Sequence, residues 1–352
     1  ILKLIGRIFS PSSKMRPSKD PDQRYCQLEM LKVCYEFLFY FIWDNGENYV
    51  ELTNEKVIEM LFNQMELDSS VVKLLTEIMV DNDEANNMVT ETMIQNVVKK
   101  LNPKTWIIDS VQKPEKDEQP NFLSNIRSLA SQSQPEIKNP PYPVRYISLL
   151  KTLVESDIGP KPSRQKQVIE VLMRIQSEDP DSFDHLLLKN VNGDYDFEFA
   201  LKLFEEYKET VMKDSKNLTK VLDPREEEIE FNFHLEFLDL LGMCTKGANV
   251  ITTNFCRSLY ASPDSIVRPI ASEQVPLSIR IVLTRFLHGV YFSDKNRKIY
   301  QEEKSQSIWH MYNYLDFKKM FVNYANDLLA LKGLFDRKSA IEKREEEKVR
   351  KS

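Results

Sequence analysis

Glycine is scarce, eight residues in 352. Sheets joined by tight hairpins draw on glycine wherever φ turns positive, so a β-rich fold is disfavoured from the outset. Cysteine is scarcer still. Cys26, Cys34, Cys244 and Cys256 stand far apart, form no CxxC pair and follow no secretory signal, so a reducing, cytosolic setting is expected. No sign of charge dominates. The formal net charge is −6, and acidic and basic residues interleave along most of the chain, which disfavours a nucleic-acid surface. Long apolar runs are also missing. The most apolar stretch, Val33 to Trp43, contains Glu36 and falls well short of the ~20 residues that a spanning helix needs. Its length predicts a buried core helix. The chain starts at Ile1 without a methionine, and ILKLIGRIF carries the stripe Ile1, Leu4, Ile5, Ile8 of a helix in progress, so a fragment of a longer polypeptide is expected. The lack of a spanning segment then says nothing about the parent protein.

Leucine, lysine and glutamate are abundant, and they are good helix formers. Apolar residues recur at helical spacing over 28–43, 54–65, 69–80 and 90–101, and again over 144–156, 164–178 and 197–212. A further helix starts near Glu230, and one or two more are expected over 307–335. Between Asn102 and Pro143 seven prolines fall among Lys, Glu, Gln and Ser, which predicts a long surface connection with one short helix over 121–130. Asp179–Pro180, Asp223–Pro224 and Ser262–Pro263 each set a capping side chain beside a first-turn proline. Helix pairs recurring every ~40–50 residues are what an all-α armadillo or HEAT-like solenoid gives. The expected organisation is helical repeats over 1–108, a Pro/Ser-rich loop over 109–143, an armadillo-like domain over 144–335 and a charged tail over 336–352.

The stretch IEFNFHLEFLDLLGMC is apolar on two faces, one of Phe231, His234, Leu235, Leu238 and Leu241, the other of Phe233, Phe237, Leu240 and Cys244. A helix apolar over so much of its circumference must be covered on several sides. His234 is accordingly expected to be buried or half-buried and to donate to a neighbouring carbonyl. Gly247 should end this helix in the left-handed conformation. The turn Thr245 to Asn249 lacks the repeated glycines and the GK[ST] ending of a phosphate cradle. Neither acidic stretch, 81–92 nor 190–201, satisfies a calcium loop: the first has no central glycine and no final glutamate, and in the second Gly193 is misplaced and position twelve is Leu201. Both read as polar turns that cap helices. The four histidines, His185, His234, His288 and His310, lie in no motif with serine or cysteine. No catalytic residue, cofactor or metal ligand is therefore assigned, and a non-enzyme is expected.

The wording of the region 234–291 is distinctive. HLEFLDLLGMCTKGANV, the FCRSL that follows, RIVLTRFLHGVYFSD and the later SIWHMYNYL resemble the cytosolic RIH helical region of the inositol trisphosphate receptor and ryanodine receptor family of calcium-release channels. The resemblance is best between Val144 and Tyr314 and extends more weakly back to Gln23. It marks His234, Leu235, Leu238, Leu241, Cys244, Gly247, Asn249, Val250, Cys256, Ser258, Leu259 and Trp309 as structural signature positions, and it transfers no ligand-binding or pore residue. The order Lys246, Gly247, Ala248, Asn249 departs slightly from the family's usual turn. The resemblance implies a coupling solenoid that relays ligand-driven movement towards a pore, in a parent that is homotetrameric and membrane-bound at an intracellular calcium store such as the endoplasmic reticulum. Its partners would be other domains and subunits of the same channel, with no nucleic acid. The alternatives are a ryanodine receptor homologue and a free-standing armadillo or HEAT adaptor that binds proteins in its groove.

Overall fold

The computed structural model describes residues 21–43, 48–65, 69–101, 144–215, 230–247, 249–260, 264–292, 318–327, 329 and 332. Before the break at 102 the helices are α1 (Pro21–Ile42), α2 (Tyr49–Leu52), α3 (Glu55–Gln64), α4 (Ser69–Met79), α5 (Asp83–Met88) and α6 (Glu91–Lys99). After it come α7 (Val144–Val154), α8 (Pro162–Glu178), α9 (Pro180–Leu186), α10 (Phe197–Ser215), α11 (Glu230–Cys244), α12 (Val250–Ser258), α13 (Asp264–Ala271) and α14 (Leu277–Leu287), whose end widens into a π turn at His288–Phe292. A further helical segment covers 318–327. Glu155–Ser156 and Gly159–Pro160 form the one ladder among the described residues, an antiparallel pair of two-residue strands, β1 and β2.

Local chemistry sets the starts. Asn54 accepts from the Lys56 amide at 3.0 Å to open α3, Asn82 from Ala85 at 3.0 Å to open α5, and Thr90 from Met93 at 3.3 Å to open α6. Each satisfies an amide that the first helical turn leaves without a partner. The stretch 81–92 is thus a pair of cap-bearing turns. In 190–201 the Asn190 side chain accepts from the amides of Asn192 and Asp194, and Asp196 accepts from Phe199 to start α10. Prolines 162 and 180 occupy the first positions of α8 and α9, where their lack of an N–H costs nothing.

The helices stack in two rows. In one, α1 packs on α4, α4 on α7, α7 on α11, and α11 on α14; in the other, α6 packs on α8, α8 on α12, and α12 on the π turn. Each layer meets mainly its neighbours, which is the organisation of an all-α solenoid. One continuous apolar core runs through it from Leu31 to Met320. The chain leaves at Leu101 and returns at Val144, yet α4 and α7 lie side by side.

Two expectations need correction. Helix α7 ends at Val154, and Glu155 and Ser156 pair with Pro160 and Gly159 instead of continuing it. Helix α1 is not buried all round: Leu31, Tyr35, Leu38 and Ile42 face the core, whereas Val33, Phe37, Tyr40, Phe41 and Trp43 are exposed. Its apolar residues form two stripes, and only one has a neighbour among the described residues, of which α1 is the first helix. The loop 109–143, the helix over 121–130, Asp223–Pro224, Ser262–Pro263, Trp309 and the tail over 336–352 lie outside the described residues.

Candidate functional site

Helix α11 is the hub of the second half, packing on α7, α8, α10, α12, α14 and the π turn. The sequence requires this, since Phe231, Phe233, Phe237, Leu238, Leu240, Leu241 and Cys244 are all buried and leave little of the circumference for water. Full burial of a side chain of this size contributes ~1.5–3 kcal/mol before ordering entropy is subtracted. Phe237 lies 6.2 Å from Phe233 in a stacked pair and 6.5 Å from Phe183 of α9 edge-on, both within the favourable range for aromatic contacts.

His234 is 2% exposed, with Nδ1 3.0 Å from the Leu186 carbonyl oxygen and Nε2 3.5 Å from Glu230 Oε1. A carbonyl only accepts, so Nδ1 carries the proton and ties α11 to the end of α9. Leu238, Leu241, Cys244, Cys256 and Leu259 are buried, and Leu235 is half-buried. Gly247 has φ +87°, and a Cβ there would press on Pro160 at 3.3 Å, so glycine is needed both for the turn and for the approach of the hairpin. Asn249 opens α12 by accepting from Ile251, while its Nδ2 donates to the Pro162 carbonyl at 3.3 Å. Val250 and Ser258 are exposed, and Ser258 donates to the Phe255 carbonyl.

Sequence reasoning missed the ionic clamp on the remaining strip of α11. Lys151 of α7 reaches Glu236 at 2.5 Å and Asp239 at 2.6 Å, and Arg285 of α14 reaches Asp239 at 3.3 Å. Three consecutive layers are thereby joined through one pair of acids set three residues apart, one helical turn. The side chains of Lys151 and Asp239 are only 16% and 14% exposed. Burial pushes the Asp239 carboxyl up, but the hydrogen bond and charge of Lys151, with the charge of Arg285, outweigh it and hold the carboxyl below its usual range. Gln165, fully buried, adds a fourth tie by donating to the Met243 carbonyl at 3.0 Å.

The crossing of α11 with the π turn is close. A Cβ on Gly289 would fall 2.3 Å from Thr245 Oγ1 and 3.0 Å from the Gly242 carbonyl oxygen, and one on Gly242 would fall 3.3 Å from Phe286 Cα. Arg257 of α12 donates to the Val290 carbonyl at 3.1 Å and lies 5.9 Å from the Tyr291 ring.

These groups hold helices together. Burial pushes the Cys244 and Cys256 thiols well up, so both are protonated at neutral pH. Among the described residues no group of three His, Cys, Asp or Glu side chains is placed to hold a metal ion. A hollow of about 410 Å³ lies between α5, the hairpin and the start of α8. Its cations are engaged, Lys161 with Asp83 at 2.9 Å and Arg164 with the Asn86 carbonyl at 2.6 Å. No described helix is long and apolar enough to cross a membrane.

Residues 1–179 match the family described as the RIH domain, which ryanodine and inositol trisphosphate receptors share. The match takes in α1 to α8 and stops before α11, so it rests on a different part of the chain from the block His234 to Val250. A comparison with curated proteins gives no match.

Proposed function

The chain belongs to the RIH-domain family of ryanodine and inositol trisphosphate receptors, and from that premise we propose that it is a non-enzymatic coupling solenoid of an inositol trisphosphate receptor-like calcium-release channel. In this reading it passes movement of a ligand-binding region on one side to a pore on the other, within a homotetramer whose membrane part lies elsewhere in the parent chain, at the cytosolic face of the endoplasmic reticulum or another calcium store. The observation that carries the reading is the clamp on α11. A solenoid transmits rotation only if adjacent layers move together, and Lys151, Asp239 and Arg285 tie α7, α11 and α14 across positions where apolar packing alone would allow sliding.

An antibody against residues 144–291 tests the first half. A very large tetramer released from membranes only by detergent is expected; a soluble species near the 41.4 kDa of this chain overturns the channel reading and promotes a free-standing adaptor. Charge reversal at Lys151→Glu in the parent channel tests the relay. Ligand binding should persist, which also controls for folding, while ligand-evoked calcium release falls severalfold. Unchanged release with unchanged binding overturns the coupling role.

A further inference from the structure

Helix α1 carries two apolar seams and uses one. Leu31, Tyr35, Leu38 and Ile42 are buried, and α1 packs on α4, whereas Val33, Phe37 and Tyr40 are 62%, 54% and 66% exposed and Met30 continues their line. The exposed seam is regular. Met30, Val33, Phe37 and Tyr40 follow one another at intervals of three, four and three residues, the heptad spacing with which a helix meets one other helix along a narrow line of contact. Phe41 and Trp43, also exposed, widen it. Phe37 stacks on Phe41 at 6.2 Å and Tyr40 meets Trp43 edge-on at 6.1 Å, so the surface is contiguous, and a contiguous aromatic surface marks a contact to be made.

We propose that this seam docks an amphipathic helix of another polypeptide, one with apolar residues at heptad spacing and lysine or arginine beside them. The spacing selects a helix. Charge selects the kind of helix, because Glu29 and Glu36, both exposed, immediately precede Met30 and Phe37 and so occupy the edge from which paired helices make their interhelical ion pairs. Lys32, next round the helix, is half-buried. A second copy of α1 fits the seam badly. Laid antiparallel it would set Glu29 and Glu36 against the same two acids, and laid parallel it would set them against Cys34 and Phe41, which offer them no cation. A membrane fits no better, since interfacial helices flank their apolar face with lysine and arginine and an anionic leaflet repels carboxylates. A basic-flanked helix satisfies both features at once. It would cover the aromatic seam and pair both glutamates along ~10 Å of α1.

The test uses the full 352-residue chain and two fluorescent three-heptad peptides with leucine along the seam, one flanked by lysine and its twin by glutamate. Anisotropy titration at physiological salt should give the lysine-flanked peptide at least fivefold tighter binding. Val33→Ser with Phe37→Ser should weaken that binding at least tenfold while the thermal unfolding curve of the chain stays in place, both side chains being mostly exposed. Glu29→Lys with Glu36→Lys should reverse the preference between the two peptides. Misfolding cannot produce a reversal. Equal affinity for the two peptides, or binding of neither, would overturn the proposal. So would self-association in sedimentation that Phe37→Ser abolishes, which would make a second copy the occupant, or capture on phosphatidylserine vesicles that Phe37→Ser abolishes, which would make it a membrane.

Discussion

Asp239 shows how much of the hub depends on one side chain. Both of its oxygens are used, one by Lys151 at 2.6 Å and one by Arg285 at 3.3 Å, so Asp239→Asn would leave a mostly buried Lys151 with half its counter-charge. An exposed pair is worth up to ~1 kcal/mol and breaking a fully buried one costs ~3–5 kcal/mol. This site lies between the two, and a loss of about 1–3 kcal/mol in urea unfolding is expected. The pH dependence follows from the direction of the shift. A carboxyl whose folded pKa lies below its unfolded value stabilises the fold fully above that unfolded value, ~3.9 for aspartate, and its contribution disappears as pH falls through the lower folded pKa. Wild-type stability should therefore fall more steeply below about pH 4 than that of Asp239→Asn. Parallel curves would show that the clamp is not linked to folding. Glu236 and Asp239 can be seen in the sequence as acids on an otherwise apolar helix. Their partners cannot, because Lys151 lies 88 residues and Arg285 46 residues from Asp239, and only the stacking of α7, α11 and α14 brings them together. His234 was legible because a lone histidine on an apolar face needs a carbonyl to bury against, and Leu186 supplies it.

At the scale of elements, the stretch 81–92 was legible as a source of helix caps and Gly247 as a helix stop, whereas Asn54, Thr90 and Asn249 were not singled out as caps in the sequence. Asn54, Asn82, Thr90 and Asn249 cap the helices that follow them, and Gly247 takes the positive φ that ends the α11 turn. The π turn was not legible. Its widening at His288–Phe292 answers to a neighbour, for Gly289 must pass within reach of Thr245 and the Gly242 carbonyl. Thr245 is fully buried and already donates to Gly242 at 2.7 Å, so it has little room to yield. Gly289→Ala is expected to cost ~1–3 kcal/mol as overpacking. Removing the obstructing oxygen with Thr245→Ala should make the double variant less destabilised than the sum of the two single ones, as coupled sites behave. Thermal or urea unfolding of the four proteins checks this, and strict additivity would mean that the two residues do not share the crossing. The misreading of α1 has a similar origin. Periodicity shows that an apolar stripe seeks cover, but it does not say whether the covering element is present.

For the whole molecule, the succession of helices could be read from periodicity, whereas the order of stacking could not. The contact of α4 with α7 closes across residues 102–143, and no local pattern encodes a contact over that separation. The cysteines give this architecture a direct test, since they sample its depth. Cys26 is exposed, Cys34 half-buried, and Cys244 and Cys256 are enclosed on α11 and α12 with their thiols pushed up by burial. Only the thiolate reacts. Iodoacetamide at neutral pH should therefore modify Cys26 first and leave Cys244 and Cys256 untouched until the layers open. Solenoid layers are stabilised by their nearest neighbours, so two positions in one layer should open together while separate layers can differ. Cys256 Sγ lies 3.8 Å from the Leu241 carbonyl oxygen of α11, which places both thiols in the same layer. Mass spectrometry across a urea series should give Cys244 and Cys256 a common midpoint. Separate midpoints would mean that α11 and α12 open independently, and a hub that opens piecemeal would not carry a rotation from α7 to α14.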